Sequence, residues 1–365
     1  MIYSDIAKAG TSIWLDDLSR AKLTGTDSQS LPSRIKNSGV VGVTTNPSIF
    51  NSAITGSADY ASDIASMKSQ SPEEIVKKLT TDDVRQACDL FSDIYLHSAG
   101  VDGRVSIEVD PRLAHDTHST IAEGKSLWAL VNRPNLMIKV PATLEGLPAI
   151  TELIASGISV NVTLIFSCQR YEQVIDAFIS GIEEALKRGN DVSKIHSVAS
   201  FFISRIDTSV DKELKIINSA ESTALLGQAA IANAVLAYEL FLTKSATVRW
   251  SKLSESGAHM QRPLWASTGV KDPAYDDTRY VMELIAAETV NTMPQATLDA
   301  VIDHGKFHGD TVTPAIEKSH VVLAQLEKIG VSLDSITDTL ETDGVAAFSK
   351  AWQALLDDVD VVRRA

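Results

Sequence analysis

Short apolar runs alternate along the chain with longer segments in which apolar residues return every three or four positions. The short runs are Ser12–Asp16, Val40–Thr44, Arg104–Val109, Leu136–Val140, Ile158–Leu164, Ile195–Phe201, Pro263–Ser267 and Glu288–Thr292. Most are rich in Val and Ile and all have the length of a β-strand. The segments with helical period are Pro72–Ala99, His118–Val131, Leu144–Ser156, Cys168–Arg188, Ser204–Leu242 and Tyr275–Ala286. Ser71 precedes the first of these as a candidate N-cap, with Glu73 and Glu74 in the opening turn. Gly157 and Gly189 follow two of the others as candidate stops.

About eight strand–helix units in one chain predict an α/β protein, a closed (β/α)8 TIM barrel rather than an open sheet. Such a barrel needs ~250 residues, and this chain has 365. The surplus reads as extra helices after the second and sixth strands and a C-terminal helical extension. No low-complexity linker divides the sequence. The expectation is one domain over 1–365, with the barrel at about 10–295 and the helical tail at about 296–365.

Composition narrows the function. Forty-seven acidic residues stand against 33 basic ones, a formal charge of −14. That balance argues against nucleic acid as a partner, since such binding needs a basic patch that displaces counterions. It leaves room for a local basic pocket. Cys88 and Cys168 are too few for a disulfide framework or a thiolate metal site. The charges within the first twenty residues are incompatible with a secretory signal, and the most apolar stretch, Leu153–Cys168, is interrupted by polar residues. A cytoplasmic protein that binds no membrane is expected.

Barrels of this kind carry their chemistry at the C-terminal ends of the strands. Those ends hold Asp16, then Thr44, Thr45 and Asn46, then Glu108 and Asp110, Lys139, Asn161 and Thr163, Ser200, Phe202 and Arg205, and finally Ser267 with Lys271 just beyond. Lys139, inside the apolar run LMIKVPA, is the most unusual. A lysine is almost never fully buried without a reason. It either bridges structurally to Glu108 or Asp16, or serves as a free amine that attacks a carbonyl, because burial disfavours the ammonium form.

Two stretches identify a family. Gly42-Val43-Thr44-Thr45-Asn46-Pro47-Ser48-Ile49-Phe50 resembles the N-terminal signature of the transaldolases, and LMIKVPATLEGLPAITEL, Leu136 to Leu153, resembles their second signature, built around a Schiff-base lysine. The resemblance runs from about Asp16 to Pro294, and the length and tail are similar to those of the longer bacterial form. It implies an enzyme of the pentose phosphate pathway that moves a dihydroxyacetone unit from sedoheptulose 7-phosphate to glyceraldehyde 3-phosphate, giving erythrose 4-phosphate and fructose 6-phosphate. No cofactor and no metal are implied. A monomer or homodimer acting on small sugar phosphates is expected.

Position by position, the resemblance makes Lys139 the nucleophile and Asp16 the general base for the C4 hydroxyl. It makes Glu108 the carboxylate that relays protons during dehydration, with Thr163 holding the water between. Asn46, Asn161 and Ser200 would hold hydroxyls of the three-carbon unit, Phe202 would form a wall, and Arg205 would bind the phosphate. Ser267 matches a serine of the family, but Gly269 stands where the short bacterial form has a second phosphate-binding arginine. Lys271, two residues on, is the candidate replacement; the alternative is an exposed lysine with Arg205 acting alone. Asp110 before Pro111 reads as a turn residue and Asp17 as a helix-start residue.

His115-Asp116-Thr117-His118 lacks a third ligand and is a weak metal signature. Cys168 reads as a small buried residue. Two other readings stay in view: a fructose 6-phosphate aldolase-like lyase, which releases the three-carbon product, and a non-catalytic barrel that binds sugar phosphates.

Overall fold

A computed structural model describes residues 1–364. Eight strands close a parallel barrel in chain order: β1 (Thr11–Leu15), β2 (Val40–Val43), β3 (Arg104–Glu108), β4 (Leu136–Pro141), β5 (Val160–Ile165), β6 (Ser197–Phe202), β7 (Arg262–Ala266) and β8 (Thr289–Met293), with β8 pairing back onto β1. All eight short apolar runs are strands, shifted by two residues or fewer. Parallel strands hydrogen-bonded on both edges and covered by helices have no solvent face, and every residue of β3, β4, β5, β6 and β8 is buried.

β1 and β2 approach closely at Gly42. The Trp14 ring lies flat against Gly42, where a Cβ would come within 2.5 Å of the indole. Only glycine fits here, so Gly42 sets how closely β1 and β2 approach around Trp14, one of the two fully buried tryptophans of the core.

The extra helices fall where expected, with different breaks. After β2 come Pro47–Thr55, Ala61–Ser66, Pro72–Leu90 and Ser92–His97. Ser71 caps Pro72–Leu90 in a full capping box with Glu74. The long helix expected over 204–242 is instead three: Ser204–Ile217, Ala220–Leu225 and Ala229–Ser245. Asn218 (φ 50°) turns the chain left-handed after the first, and Gly227 (φ 67°) does so before the third. The segment 275–286 keeps one helical turn, Arg279–Met282. Gly157 and Gly189 both adopt positive φ past helix ends, as a left-handed stop requires.

Beyond β8 the chain forms Gln295–His304, Ile316–Lys328 and a 32-residue helix, Leu333–Arg364. This last helix touches Pro47–Thr55 after β2, the turn Pro111–Leu113 after β3, the end of β5, and Ser204–Ile217 after β6. Segments that follow strands lie at the C-terminal end of a barrel, so the helix crosses the mouth. Gly344 lets it pass: a Cβ there would sit 3.1 Å from Leu164 on the rim. Glu341 holds it through Arg170 at 3.0 Å, and Arg363 donates to the carbonyls of Lys68 and Gln70, each at 3.1 Å. Among the described residues no helix is long and apolar enough to cross a membrane.

Candidate active site

Strand register assembles the centre. Glu108 on β3 pairs with Lys139 on β4, and Lys139 pairs with Asn161 on β5. Register partners on neighbouring strands point to the same side, so all three side chains enter the barrel together. Lys139 Nζ donates to the Thr45 carbonyl at 3.0 Å and stands 3.4 Å from Glu108 Oε2. Lys139 and Glu108 are 4% and 7% exposed. The ion pair that serves as the bland account of a buried lysine is therefore present. A bridge and a nucleophile are compatible, because the pair holds the amine in place.

Burial pushes the Glu108 carboxyl up to about 7; Lys139 opposes the rise and Asp16 adds to it. A group with that value gives and takes a proton at neutral pH with little penalty either way. Neither of its oxygens has a hydrogen bond of good geometry, and the buried Thr163 hydroxyl has no partner among the described residues. Buried polar atoms left open in this way are expected to bind water or substrate.

Beside the lysine a chain of hydrogen bonds fixes the polar layer. Asn161 donates to Ser106 Oγ at 3.0 Å and accepts from Ser200 Oγ at 2.7 Å. Asp16 stands on the opposite wall, where Thr44 Oγ1 donates to it at 2.7 Å and pairs with Thr292 Oγ1 at 2.6 Å. Burial raises the Asp16 carboxyl above its ordinary value; Lys139 and the Thr44 hydrogen bond oppose this. Asn46 begins the helix after β2: its Oδ1 accepts from the Ile49 N–H at 3.0 Å, which commits the carbonyl to capping and leaves the amide N–H groups for other partners.

A cavity of about 130 Å³ lies above these groups, bordered by Asp16, Asn46, Lys139, Ser200, Phe202, Arg205, Ser267 and Lys271 among others. Glu108, Asn161 and Thr163 stand behind its wall. Arg205 rests over the Phe202 ring, 5.4 Å from its centroid, and its guanidinium has neither a hydrogen bond nor an ion pair among the described residues. Burial lowers its ordinarily high value, an effect that Asp343 partly offsets. Ser267 holds a left-handed backbone (φ 56°) and its hydroxyl shares a hydrogen bond with Ser204 at 3.0 Å; strain of this kind collects at functional sites. Lys271 is exposed and unpaired among the described residues. Its Nζ lies 4.0 Å from where a Cβ on Gly269 would be.

The crossing helix adds groups that the strand-end reading missed. Phe348 borders the cavity, with its ring centroid 5.7 Å from Lys139 Nζ. Trp352, one turn on, borders a void of about 20 Å³ together with Asn46 and Glu108. Ser106, Thr44, Thr45 and Thr292 were also unassigned. Thr44 and Thr45 lie within the first signature and Ser106 alternates with Glu108 on β3, so these three carried a signal; Phe348 and Trp352, more than 200 residues further along the chain on a helix, carried none. Two of the residues set aside differ from their reading: Ser19, not Asp17, opens the helix Arg20–Thr24, and Cys168 is half-buried rather than buried. Asp110 caps the turn after β3, Asp17 pairs with Lys22 at 3.1 Å, and burial pushes the Cys168 thiol up to about 12. Asp116 caps the helix Thr117–Val131.

A buried lysine beside a carboxylate, under a cavity rimmed by unpaired cations at the C-terminal end of a parallel eight-stranded barrel, is the arrangement expected of an enzyme class that acts on phosphorylated carbonyl compounds. The family model described as Transaldolase/Fructose-6-phosphate aldolase matches residues 13–359, and the chain belongs to that family. It is 54% identical over 358 residues to a protein named Transaldolase from Arthrobacter sp. (strain FB24), covering 97% of this chain and 95% of that one. It is 54% identical to Transaldolase 1 of Streptomyces avermitilis (97% and 93% covered) and 52% identical to Transaldolase of Thermobifida fusca (97% and 96% covered).

Proposed function

We propose that the chain is a transaldolase of the pentose phosphate pathway, transferring a dihydroxyacetone unit from sedoheptulose 7-phosphate to glyceraldehyde 3-phosphate. The observation that carries this reading is Lys139 Nζ at the floor of the cavity, 3.4 Å from Glu108, with Asp16 bordering the same cavity from the opposite wall. The amine of Lys139 adds to C2 of the ketose. Glu108, through a water held with Thr163, protonates the departing hydroxyl, and water leaves to give the iminium. Asp16 removes the C4 hydroxyl proton, the C3–C4 bond breaks into the iminium, and erythrose 4-phosphate departs. The enamine remaining on Lys139 attacks glyceraldehyde 3-phosphate, and the steps reverse to release fructose 6-phosphate. Asn46, Asn161 and Ser200 hold the three-carbon hydroxyls. No metal or cofactor takes part. Phe348 over the lysine limits water, which favours transfer over release. The reading extends to a single domain, a cytoplasmic location and a monomer or homodimer.

Incubation with fructose 6-phosphate followed by borohydride is expected to leave a three-carbon adduct on Lys139. Before reduction, the three-carbon intermediate should discharge much faster with erythrose 4-phosphate than with water. No adduct removes every Schiff-base reading, including the lyase, and leaves the binding barrel; discharge by water at a similar rate selects the lyase.

Arg205 and Lys271 form the phosphate site, the guanidinium giving the forked contact and the ammonium a point charge. Lys271→Ala is expected to raise KM for both sugar phosphates by about five- to tenfold with kcat nearly unchanged, as for binding energy expressed equally in ground and transition states. Unchanged KM would leave Arg205 acting alone.

A further inference from the structure

The void behind Glu108 shares Asn46 with the substrate cavity and is otherwise lined by different residues. It is bordered by Glu108, Asn46, Trp352 and the Lys77–Glu123 ion pair, whose members are 2.9 Å apart. Its volume of about 20 Å³ suits one water, which needs two to four polar partners. The indole Nε1 of Trp352 is buried with no hydrogen-bond partner among the described residues, and the Glu108 oxygens have none of good geometry beyond the 3.4 Å ion-pair contact of Oε2 with Lys139. Asn46 has amide N–H groups to spare, since its carbonyl caps the helix. Three residues that carry such groups, from three elements, thus border a space of the right size. Trp352 lies four residues after Phe348, and positions four apart share a helix face.

We propose that Trp352 is a positioning residue for Glu108: its indole N–H, through one water in this void, holds the carboxylate from the side away from the substrate. This rests on the relay role given to Glu108 above. It gives the crossing helix a part in the chemistry as well as in closing the mouth. The water would differ from the one at Thr163, so the carboxyl could turn over protons on the substrate face while its other oxygen stays anchored.

A donor to a carboxylate favours the charged form, so Trp352 holds the Glu108 value down. The charged groups facing Glu108 are Lys139 from β4, Asp16 just after β1, Lys77 from Pro72–Leu90 and Glu123 from Thr117–Val131; the crossing helix brings no charge to the void. Dehydration of the carbinolamine needs protonated Glu108. The rate of forming the borohydride-trappable adduct therefore falls as pH rises through the Glu108 value.

In Trp352→Phe, which keeps an aromatic ring and removes the donor, this alkaline limb should move up by about half to one pH unit. KM for fructose 6-phosphate should stay within about twofold. Glu108→Gln should remove the limb, and adding Trp352→Phe to Glu108→Gln should shift nothing further. Trp352→His, which retains a ring N–H, should keep the limb near its original place and serves as the comparison if the Phe variant does not fold by circular dichroism. A limb unmoved in Trp352→Phe but lost in Glu108→Gln overturns the proposal alone. A limb retained in Glu108→Gln overturns the relay role of Glu108 and this proposal with it. An equal slowing at every pH in both backgrounds, or a limb that moves in Trp352→His as it does in Trp352→Phe, assigns Trp352 to packing and also overturns it.

Discussion

Lys139→Met should abolish transfer, with kcat/KM down by roughly 10⁴-fold or more and no borohydride adduct by mass spectrometry. Met suits the test because it is unbranched, of similar length and apolar, in a site where the lysine is 4% exposed. The barrel should therefore still close, which circular dichroism would verify. The variant removes the electron sink: without an iminium at C2, cleavage of C3–C4 leaves a carbanion with nowhere to delocalise. Asp16, the phosphate site and the polar layer on Asn161 all remain, so little activity should survive on them. The Glu108 carboxyl should also rise further, because Lys139 is what opposes its burial. Retention of an adduct at another lysine, with transfer intact, would remove Lys139 from the centre of the mechanism.

Strand positions were readable because a parallel barrel strand is short, apolar and buried on both sides, so all eight announced themselves. The centre was readable for the same reason in reverse. A lysine or a glutamate inside such a strand breaks the pattern, and alternation then says which neighbours share its face: Glu108, Lys139 and Asn161 follow from that logic plus register. Helix ends were less readable. Asn218 and Gly227 break what reads as one periodic stretch, because periodicity reports which side of a segment is buried rather than whether its axis continues. The largest omission was the crossing helix. Its apolar positions Val345, Phe348, Leu355 and Leu356 have the spacing of any amphipathic helix. Nothing local distinguishes packing on the barrel's flank from packing over its mouth. Only tertiary placement turns Phe348 and Trp352 from core residues into neighbours of Lys139 and Glu108. Lys271 stands between these cases. The missing arginine at Gly269 prompts the search for a cation, and the space a glycine leaves is what the Lys271 ammonium approaches.

Asp16→Asn should separate the two halves of the chemistry. The amide keeps the shape of the carboxylate and can still accept from Thr44 Oγ1, now 2.7 Å away, but it cannot take a proton. Iminium formation depends on Lys139 and Glu108, so fructose 6-phosphate should still be captured. Cleavage should slow by about 10² to 10⁴-fold, the range for loss of a general base. The borohydride product should consequently change from a three-carbon adduct to one carrying the intact six-carbon phosphate, a difference in mass that activity loss alone cannot mimic. The pH dependence should change in the corresponding sense. Asp16 acts as the carboxylate, and burial raises its value above the usual range, so cleavage in the parent enzyme falls as pH drops through that raised value. In Asp16→Asn the residual cleavage should lose this acid limb. If the variant instead still traps three carbons at the parental rate, the base lies elsewhere, and the hydrogen bond from Thr44 would be left as a structural feature of β1 and β2.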